Sequence, residues 1–401
     1  MVSLIKDEPQ LDLNVRTASM SDASQCVPTP MRITMVISSL GGGGAERVMS
    51  AMAKYWVESG RKVTLITLAE TGEDFYALHP EVKRVALGLM GNSQSLVGAV
   101  RNNVQRVLRL RKEIRASKPD VVLSFVDKMN VIVLAGTLGL GMPVIVSERT
   151  DPRHHSIGFV WRCLQFLFYR RAEAIVMLTE GVRGWAKRLV RPDAIRVIPN
   201  PVSIPTMRYT GAPNVRNSGH TVAAMGRLSR EKGCDLLLRA FARCVRKYPD
   251  WSLIILGEGP ERSRLEALIC ELGLKDQVSL PGLVREPSSV LRHVDLFVLP
   301  SRYEGFPNAL VEAMALGRAV ISTDCPSGPS EIIRDGVDGV LVPSNNVDAL
   351  ALAMERLMAS QGERERLGTR AVEVVERFSV ERIMSLWDDL FVKICKARNH
   401  F

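Results

Sequence analysis

One pattern limits what this chain can fold into more than any other, and it occurs twice. Short apolar runs at 33–38, 62–68, 121–125, 144–147 and 174–178 alternate with segments of helical spacing. A second series at 222–225, 252–256, 278–280, 296–299, 319–322 and 339–342 alternates with helical segments that include 234–247, 261–272 and 346–359. Runs this short and this apolar fit strands buried on both faces, and strand–helix alternation builds a parallel sheet with helices on its two sides. Pro199-Asn200-Pro201 and a Pro-, Ser-, Thr- and Gly-containing stretch up to Gly219 separate the two series. The expected fold class is therefore α/β, with two Rossmann-like doubly wound domains at 31–202 and 203–379. In the final segment, 380–401, Ile383, Leu386, Trp387, Leu390, Phe391 and Ile394 are spaced to bury one helical face.

A chain of 401 residues has room for two cores, and 46% hydrophobic with 24% charged residues is a globular balance. Cys26, Cys163, Cys234, Cys244, Cys270, Cys325 and Cys395 are odd in number and scattered, with no pair two residues apart. Neither a disulfide framework nor a zinc site is expected, and a reducing, cytoplasmic setting is. Residues 1–30 lack the apolar core of a secretory signal and are expected to be a disordered tail, with Met31 a candidate start. The 19 uncharged residues 129–147 could span a membrane by length, but Gly136, Gly139, Gly141 and Pro143 divide them into a helix, a turn and a short strand.

The net charge of +10 is lopsided. Residues 1–200 hold 27 Lys and Arg against 18 Asp and Glu, and residues 201–401 hold 26 against 25. A basic first half suits an anionic bilayer, a polyanionic substrate or nucleic acid. With no zinc-finger spacing, RNA-recognition aromatic motif or arginine-rich run, nucleic acid is not expected as a partner.

The chemistry concentrates at 299–317, Leu-Pro-Ser-Arg-Tyr-Glu-Gly-Phe-Pro-Asn-Ala-Leu-Val-Glu-Ala-Met-Ala-Leu-Gly. The apolar run before it reads as a strand, Pro307 and Asn308 suit a helix start, and Gly317 suits its stop. Glu304 then lies in a loop at the carboxyl end of a strand, and Glu312 lies on the following helix, with seven residues between them. Gly305, Phe306, Pro307 and Asn308 sit at the helix N-terminus, where free amides and the helix dipole favour an anion; the two carboxylates add acceptors for sugar or ribose hydroxyls. Two glutamates at this spacing are most often an exposed polar face, but the arrangement Glu, Gly-Phe-Pro-Asn, Glu resembles the signature of the retaining glycosyltransferases of family four.

That resemblance implies two facing Rossmann-like domains (the GT-B type) with a deep cleft between them, and a final helix that crosses back to the first domain. It implies a nucleotide-diphosphate sugar as donor substrate and no separate cofactor. Glu304 would serve the donor sugar's hydroxyls and Glu312 the ribose. Arg227 and Lys232 stand where the family carries its donor-diphosphate cations, at a strand end where such charges neutralise phosphate. Leu283 and Val284 would line the nucleobase with backbone groups. Gly328, in Ser327-Gly328-Pro329 where most of the family has two adjacent glycines, would permit close backbone approach; this variant resembles a branch acting on lipid-diphosphate-linked oligosaccharides. The absence of an Asp-any-Asp triplet accords with protein cations in place of a metal.

In the first half, Gly41-Gly42-Gly43-Gly44-Ala45-Glu46-Arg47 follows a strand and opens a helix. Glycines such as Gly43 and Gly44 allow backbone to approach a phosphate or sugar, yet the run does not match the dinucleotide fingerprint, and no acidic residue closes the 62–68 strand. The resemblance puts this loop at the cleft mouth. Where many family members have a sugar-contacting histidine, this chain reads Val-Ser-Glu-Arg-Thr-Asp-Pro, with His154 and His155 further on. Glu148 is the favoured replacement, with return of a histidine and a plain Glu148–Arg149 pair as the alternatives.

Residues 159–169 hold five of the 22 aromatics, with Arg153, Arg162, Arg170 and Arg171 nearby, and 96–116 carry Arg101, Arg106, Arg109, Arg111, Lys112 and Arg115. Aromatic and basic residues together suit a bilayer headgroup layer, so peripheral contact with an anionic membrane is expected, core packing and a solvated face being the simpler readings. The expected activity is transfer of a hexose or N-acetylhexosamine, from a UDP-sugar by branch resemblance, to a saccharide or lipid-linked glycan with retention. A sugar-nucleotide epimerase or phosphorylase of the same fold, and a non-catalytic basic lipid- or nucleic-acid-binding protein, are the competing readings.

Overall fold

The computed structural model describes residues 30–91, 95–202 and 219–399. The N-terminal tail before Pro30 and most of the expected inter-domain stretch before Gly219 lie outside the described residues.

The first lobe runs β1 (Arg32–Ile37), α1 (Gly44–Glu58), β2 (Lys62–Thr67), β3 (Lys83–Ala86), α2 (Leu96–Ser117), β4 (Val121–Phe125), α3 (Asp127–Gly136), β5 (Val144–Ser147), α4 (Phe159–Tyr169), β6 (Ala174–Met177), α5 (Arg183–Ala186) and β7 (Ile195–Val197). Its strands pair in parallel in the order β3-β2-β1-β4-β5-β6-β7. The second lobe runs β8 (His220–Met225), α6 (Cys234–Cys244), β9 (Trp251–Leu256), α7 (Arg262–Glu271), β10 (Val278–Gly282), α8 (Pro287–Leu291), β11 (Leu296–Leu299), α9 (Asn308–Ala315), β12 (Ala319–Asp324), α10 (Pro329–Ile332) and β13 (Val340–Pro343). It forms the parallel sheet β10-β9-β8-β11-β12-β13, followed by α11 (Val347–Ala359), α12 (Gln361–Ala371), α13 (Val374–Phe378) and α14 (Val380–Asn399).

Both sheets reverse strand order next to their first strand, between β1 and β4 and between β8 and β11. A crevice opens beyond the carboxyl ends of the strands at such a point, and the glycine run after β1 and the Glu304 loop after β11 both stand there. Sequence periodicity missed only the edge strands β3 and β7. β3 is Lys-Arg-Val-Ala, with exposed or half-buried residues throughout, and β7 is three residues long, so neither carries the apolar run that betrays a central strand.

The last helix belongs to the first lobe by packing. Trp387 and Phe391 of α14 meet Trp56 of α1 at ring-centroid distances of 6.5 and 5.1 Å, and all three side chains are fully buried. Trp56 Nε1 donates to Asp388 at 3.0 Å, and Asp388 also takes Arg61. The chain thus returns to its first lobe after completing the second, and residues 31–401 form one compact unit.

Candidate active site

The loop from β11 to α9 is held from beneath. Ser301 is fully buried; its carbonyl accepts from Thr323 at 2.5 Å, and its hydroxyl donates to Glu304 Oε1 at 2.6 Å. Glu304, 5% exposed, receives Lys232 Nζ on both carboxylate oxygens at 2.7 and 2.8 Å. Burial works against the ammonium charge of Lys232, but the adjacent Glu304 carboxylate outweighs it and holds the pKa above the usual lysine value. Of the two expected phosphate cations, Lys232 is therefore locked to Glu304. Arg227 is exposed, and its guanidinium has no hydrogen-bond or ion-pair partner among the described residues. Its charge is felt across the cleft by Glu46, whose carboxyl burial pushes up and Arg227 draws partly back.

Helix α9 begins at Asn308, with Pro307 before it and Gly317 after it at φ +71°. The amides of Gly305, Phe306 and Ala309 meet no acceptor among the described residues, so the helix start keeps the donors an anion needs. Gly305 is obligatory for contact between the lobes: a Cβ there would stand 2.5 Å from the Arg149 carbonyl oxygen and 2.9 Å from Thr150 Cα. Gly328 has φ +99°, and a Cβ would approach Pro307 Cδ to 2.9 Å, so only glycine seats this turn beside the Glu304 loop. Phe306 is buried edge-to-face on Phe378, 5.3 Å between centroids.

The two lobes touch along the expected cleft. Glu312 is bonded by Arg47, the last residue of the glycine-run motif, at 2.7 Å. Burial raises the Glu312 carboxyl and Arg47 offsets part of that rise. The cavity beside them, bounded by Arg47, Val202, Phe306, Asn308 and Glu312, measures about 20 Å³, room for about one water. Arg47 thus occupies part of the carboxylate expected to take the ribose. Asn308 Nδ2 donates to the Gly44 carbonyl at 3.4 Å, and a Cβ on Gly42 would touch Leu283 Cδ1 at 3.3 Å, so the glycine run faces both the α9 start and the Leu283-Val284 turn. Gly43 keeps the Glu46 carboxylate close, 2.2 Å from where its own Cβ would be. Arg285 lies over Phe75, 5.7 Å from its centroid. Further along, Glu331 of α10 accepts from the Glu180 and Gly181 amides at 2.9 Å, another tie between the lobes.

One expected role needs correction. Glu148 does not turn to the second lobe: it is 2% exposed, and its Oε1 accepts from Tyr169 Oη and, at 3.2 Å, from Gln165 Nε2, both on α4. Burial first, then the nearby Asp127 charge, push its carboxyl up to about 7 against the opposing hydrogen bonds of Tyr169, Asn130 and Gln165. The Glu148–Arg149 pair is not formed either. Arg149 instead reaches Asn200 Oδ1 at 2.6 Å, and Asn200 Nδ2 donates to Asn308 Oδ1 at 2.8 Å. Neighbouring side chains on an extended segment point to opposite sides, so with Glu148 held by α4, Arg149 takes the side facing the seam. His155 folds back to Asp127 at 3.4 Å, and His154 stacks on Tyr303 of the second lobe at 5.5 Å. Val126, between β4 and α3, has φ +76°, which is strained for a β-branched residue, and such strain gathers at working sites.

Sequence reasoning thus missed Arg47, Arg149, Asn200, Tyr303 and Glu331 as seam residues. Arg47 was in view within the glycine motif and Asn200 within Pro-Asn-Pro; nothing in the one-dimensional pattern pairs either with the second lobe.

The fold and this seam define a glycosyltransferase of the GT-B class. The family description "Glycosyl transferases group 1" matches residues 211–374, and "Glycosyl transferase 4-like domain" matches residues 43–201. Between them these cover well over half of the chain, which belongs to the glycosyltransferases. An exopolysaccharide phosphotransferase of Streptomyces coelicolor is 36% identical over 57% of this chain, which spans only 24% of that protein. A Campylobacter jejuni protein named GalNAc-alpha-(1->4)-GalNAc-alpha-(1->3)-diNAcBac-PP-undecaprenol alpha-1,4-N-acetyl-D-galactosaminyltransferase is 27% identical over 92% of this chain and 100% of its own length. Among solved structures, a sucrose-phosphate synthase from Thermosynechococcus elongatus superimposes with a TM-score of 0.79 at 18% identity, covering 92% of this chain and all of that one. Anabaena HepE in complex with UDP and glucose gives 0.74 at 19%, covering 90% and 100%; at these identities the likeness is one of fold.

Proposed function

We propose that this glycosyltransferase is a retaining enzyme that moves a hexose or N-acetylhexosamine from a UDP-sugar to a lipid-diphosphate-linked saccharide, without a metal. The observation that carries the reading is the meeting, at one inter-lobe seam, of Glu304 bound by Lys232, the open start of α9, and the unpaired Arg227. Charge grows on the leaving diphosphate in such a transfer, and preorganised cations and helix-end amides stabilise it as it forms. Lys232 can shift from carboxylate to phosphate when the donor enters, which frees Glu304 to accept from sugar hydroxyls. The lipid-linked acceptor takes its support from the full-length similarity to the Campylobacter transferase and from the Ser327-Gly328-Pro329 variant.

The test is product formation from a labelled UDP-sugar panel and an undecaprenyl-diphosphate-linked saccharide in EDTA, with the anomeric configuration read by NMR. Glu304→Gln keeps the side-chain shape and is expected to lower turnover about 100-fold or more. Activity near that of the parent, or an inverted product, would sink the reading.

A second proposal concerns the membrane. Helix α3 packs against both α2 and α4, and those flanking helices expose Val97, Val100, Val104 and Leu108 on one and Phe159, Val160, Phe166 and Leu167 on the other. Arg101, Arg109, Lys112, Arg162, Arg170 and Arg171 are exposed among them. Apolar side chains between guanidinium groups suit an anionic bilayer surface. Among the described residues no helix is long and apolar enough to cross a membrane, so contact would be peripheral. Sedimentation with liposomes containing anionic lipid, at low and high salt, tests it; no binding at low salt ends this proposal.

A further inference from the structure

The fold leaves one half-buried cation at the seam short of partners. Arg149 follows β5, with its guanidinium carbon 3.2 Å from the centre of the Phe125 ring and Nη1 donating to Asn200 Oδ1 at 2.6 Å. Its Nε and Nη2 are closed off from solvent and meet no acceptor among the described residues. Those two nitrogens share one edge of the guanidinium plane, and that edge is the fork whose parallel N–H bonds match two oxygens of one phosphate or carboxylate.

A buried donor left unpaired costs about 1–3 kcal/mol, and more on a charged group. Neighbouring carboxylates do not relieve it. Glu148 accepts from Tyr169 and Gln165, while Asp151 accepts from Arg153 and from His154. Burial also holds the Arg149 pKa well below its usual value, with Glu148 opposing only in part, so an arriving anion would relieve a cation that the closed seam penalises.

Its position says where that anion would come from. Through Asn200 the guanidinium is tied to Asn308, the first residue of α9, and Asn308 in turn reaches the Gly44 carbonyl. Gly305 packs directly against the backbone of Arg149. Arg149 therefore stands beside the helix start and the glycine run, on the first-lobe side, while Arg227 and Lys232 stand on the second.

We propose that Arg149 is a further donor-binding residue whose Nε–Nη2 edge takes two oxygens of the donor's diphosphate, with Asn200 positioning it by holding Nη1. This rests on the nucleotide-sugar reading given above. It makes diphosphate recognition a property of both lobes, so that the donor itself would bind them together.

Calorimetric titration of the full chain with UDP, GDP and ADP, and with the matching nucleosides, tests the assignment. For whichever diphosphate binds the parent best, Arg149→Gln is expected to weaken binding about 10- to 100-fold, the worth of a charged two-bond contact, while nucleoside affinity changes less than about twofold. Arg149→Lys keeps the charge without the fork and should fall between; it also carries the test if the glutamine variant fails to fold, judged by circular dichroism. If the folded variants bind the diphosphate within about twofold of the parent, the assignment is wrong. If the parent binds none of the three diphosphates, the donor reading itself fails, a distinguishable result that takes this inference with it.

Discussion

Replacing Glu148 by Gln removes one titration from the first lobe while keeping a side chain of the same shape beside Tyr169. In the folded protein the Glu148 carboxyl is raised from 4.5 to about 7, first by burial and then by Asp127, against Tyr169, Asn130 and Gln165. A folded-state pKa above the unfolded one means that the folded form holds the proton more tightly. Its contribution to stability is whole below the unfolded value and disappears as pH climbs through the folded one. The window is thus roughly pH 4.5 to 7, and the size, at 1.36 kcal/mol per unit, is about 3 kcal/mol. The parent should lose that much more stability than Glu148→Gln over the interval. Urea unfolding at pH 4.5 and pH 8, followed by tryptophan fluorescence, measures it, since Trp56, Trp161 and Trp185 all lie in the first lobe. Taking the difference between variant and parent cancels the titration of every group they share. If the two proteins lose stability in parallel, Glu148 is not a buried, proton-holding carboxyl and the argument from desolvation is wrong.

Two further outcomes bear on the seam. Gly305→Ala would drive a methyl into the Arg149 carbonyl oxygen and Thr150 Cα, at 2.5 and 2.9 Å, with backbone on both sides; the lobes should part, seen as a larger radius of gyration in solution scattering, with turnover down about 100-fold because the cations of the two lobes no longer converge. Unchanged scattering would show that the seam tolerates the methyl. Arg47→Gln frees Glu312 from its ion pair and should tighten nucleoside diphosphate binding by about 5- to 10-fold. Weaker binding would mean that Arg47 holds the ligand and does not compete with it.

Much of this protein was legible along the chain. The apolar runs at 121–125, 144–147 and 296–299 coincide with β4, β5 and β11 to the residue, because a strand buried on both faces is nearly continuous in apolar residues. The helix start at Asn308 and its stop by Gly317 were readable from local backbone chemistry, as was the placing of Glu304 in a loop and Glu312 on a helix. These are short-range matters: capping, turn geometry and periodicity act over a few residues.

What tertiary structure alone decided is which groups face which. Glu148 and Arg149 are neighbours in sequence, yet one is held inside the first lobe by Tyr169 and Gln165 while the other is tied through Asn200 to α9. Arg47 and Glu312 are 265 positions apart, and only the closing of two sheets brings them to 2.7 Å. Spacing along a chain reports the geometry of one element. Partners across a seam are set by how the two lobes meet, where a charge withdrawn from water is satisfied only by what the other lobe presents.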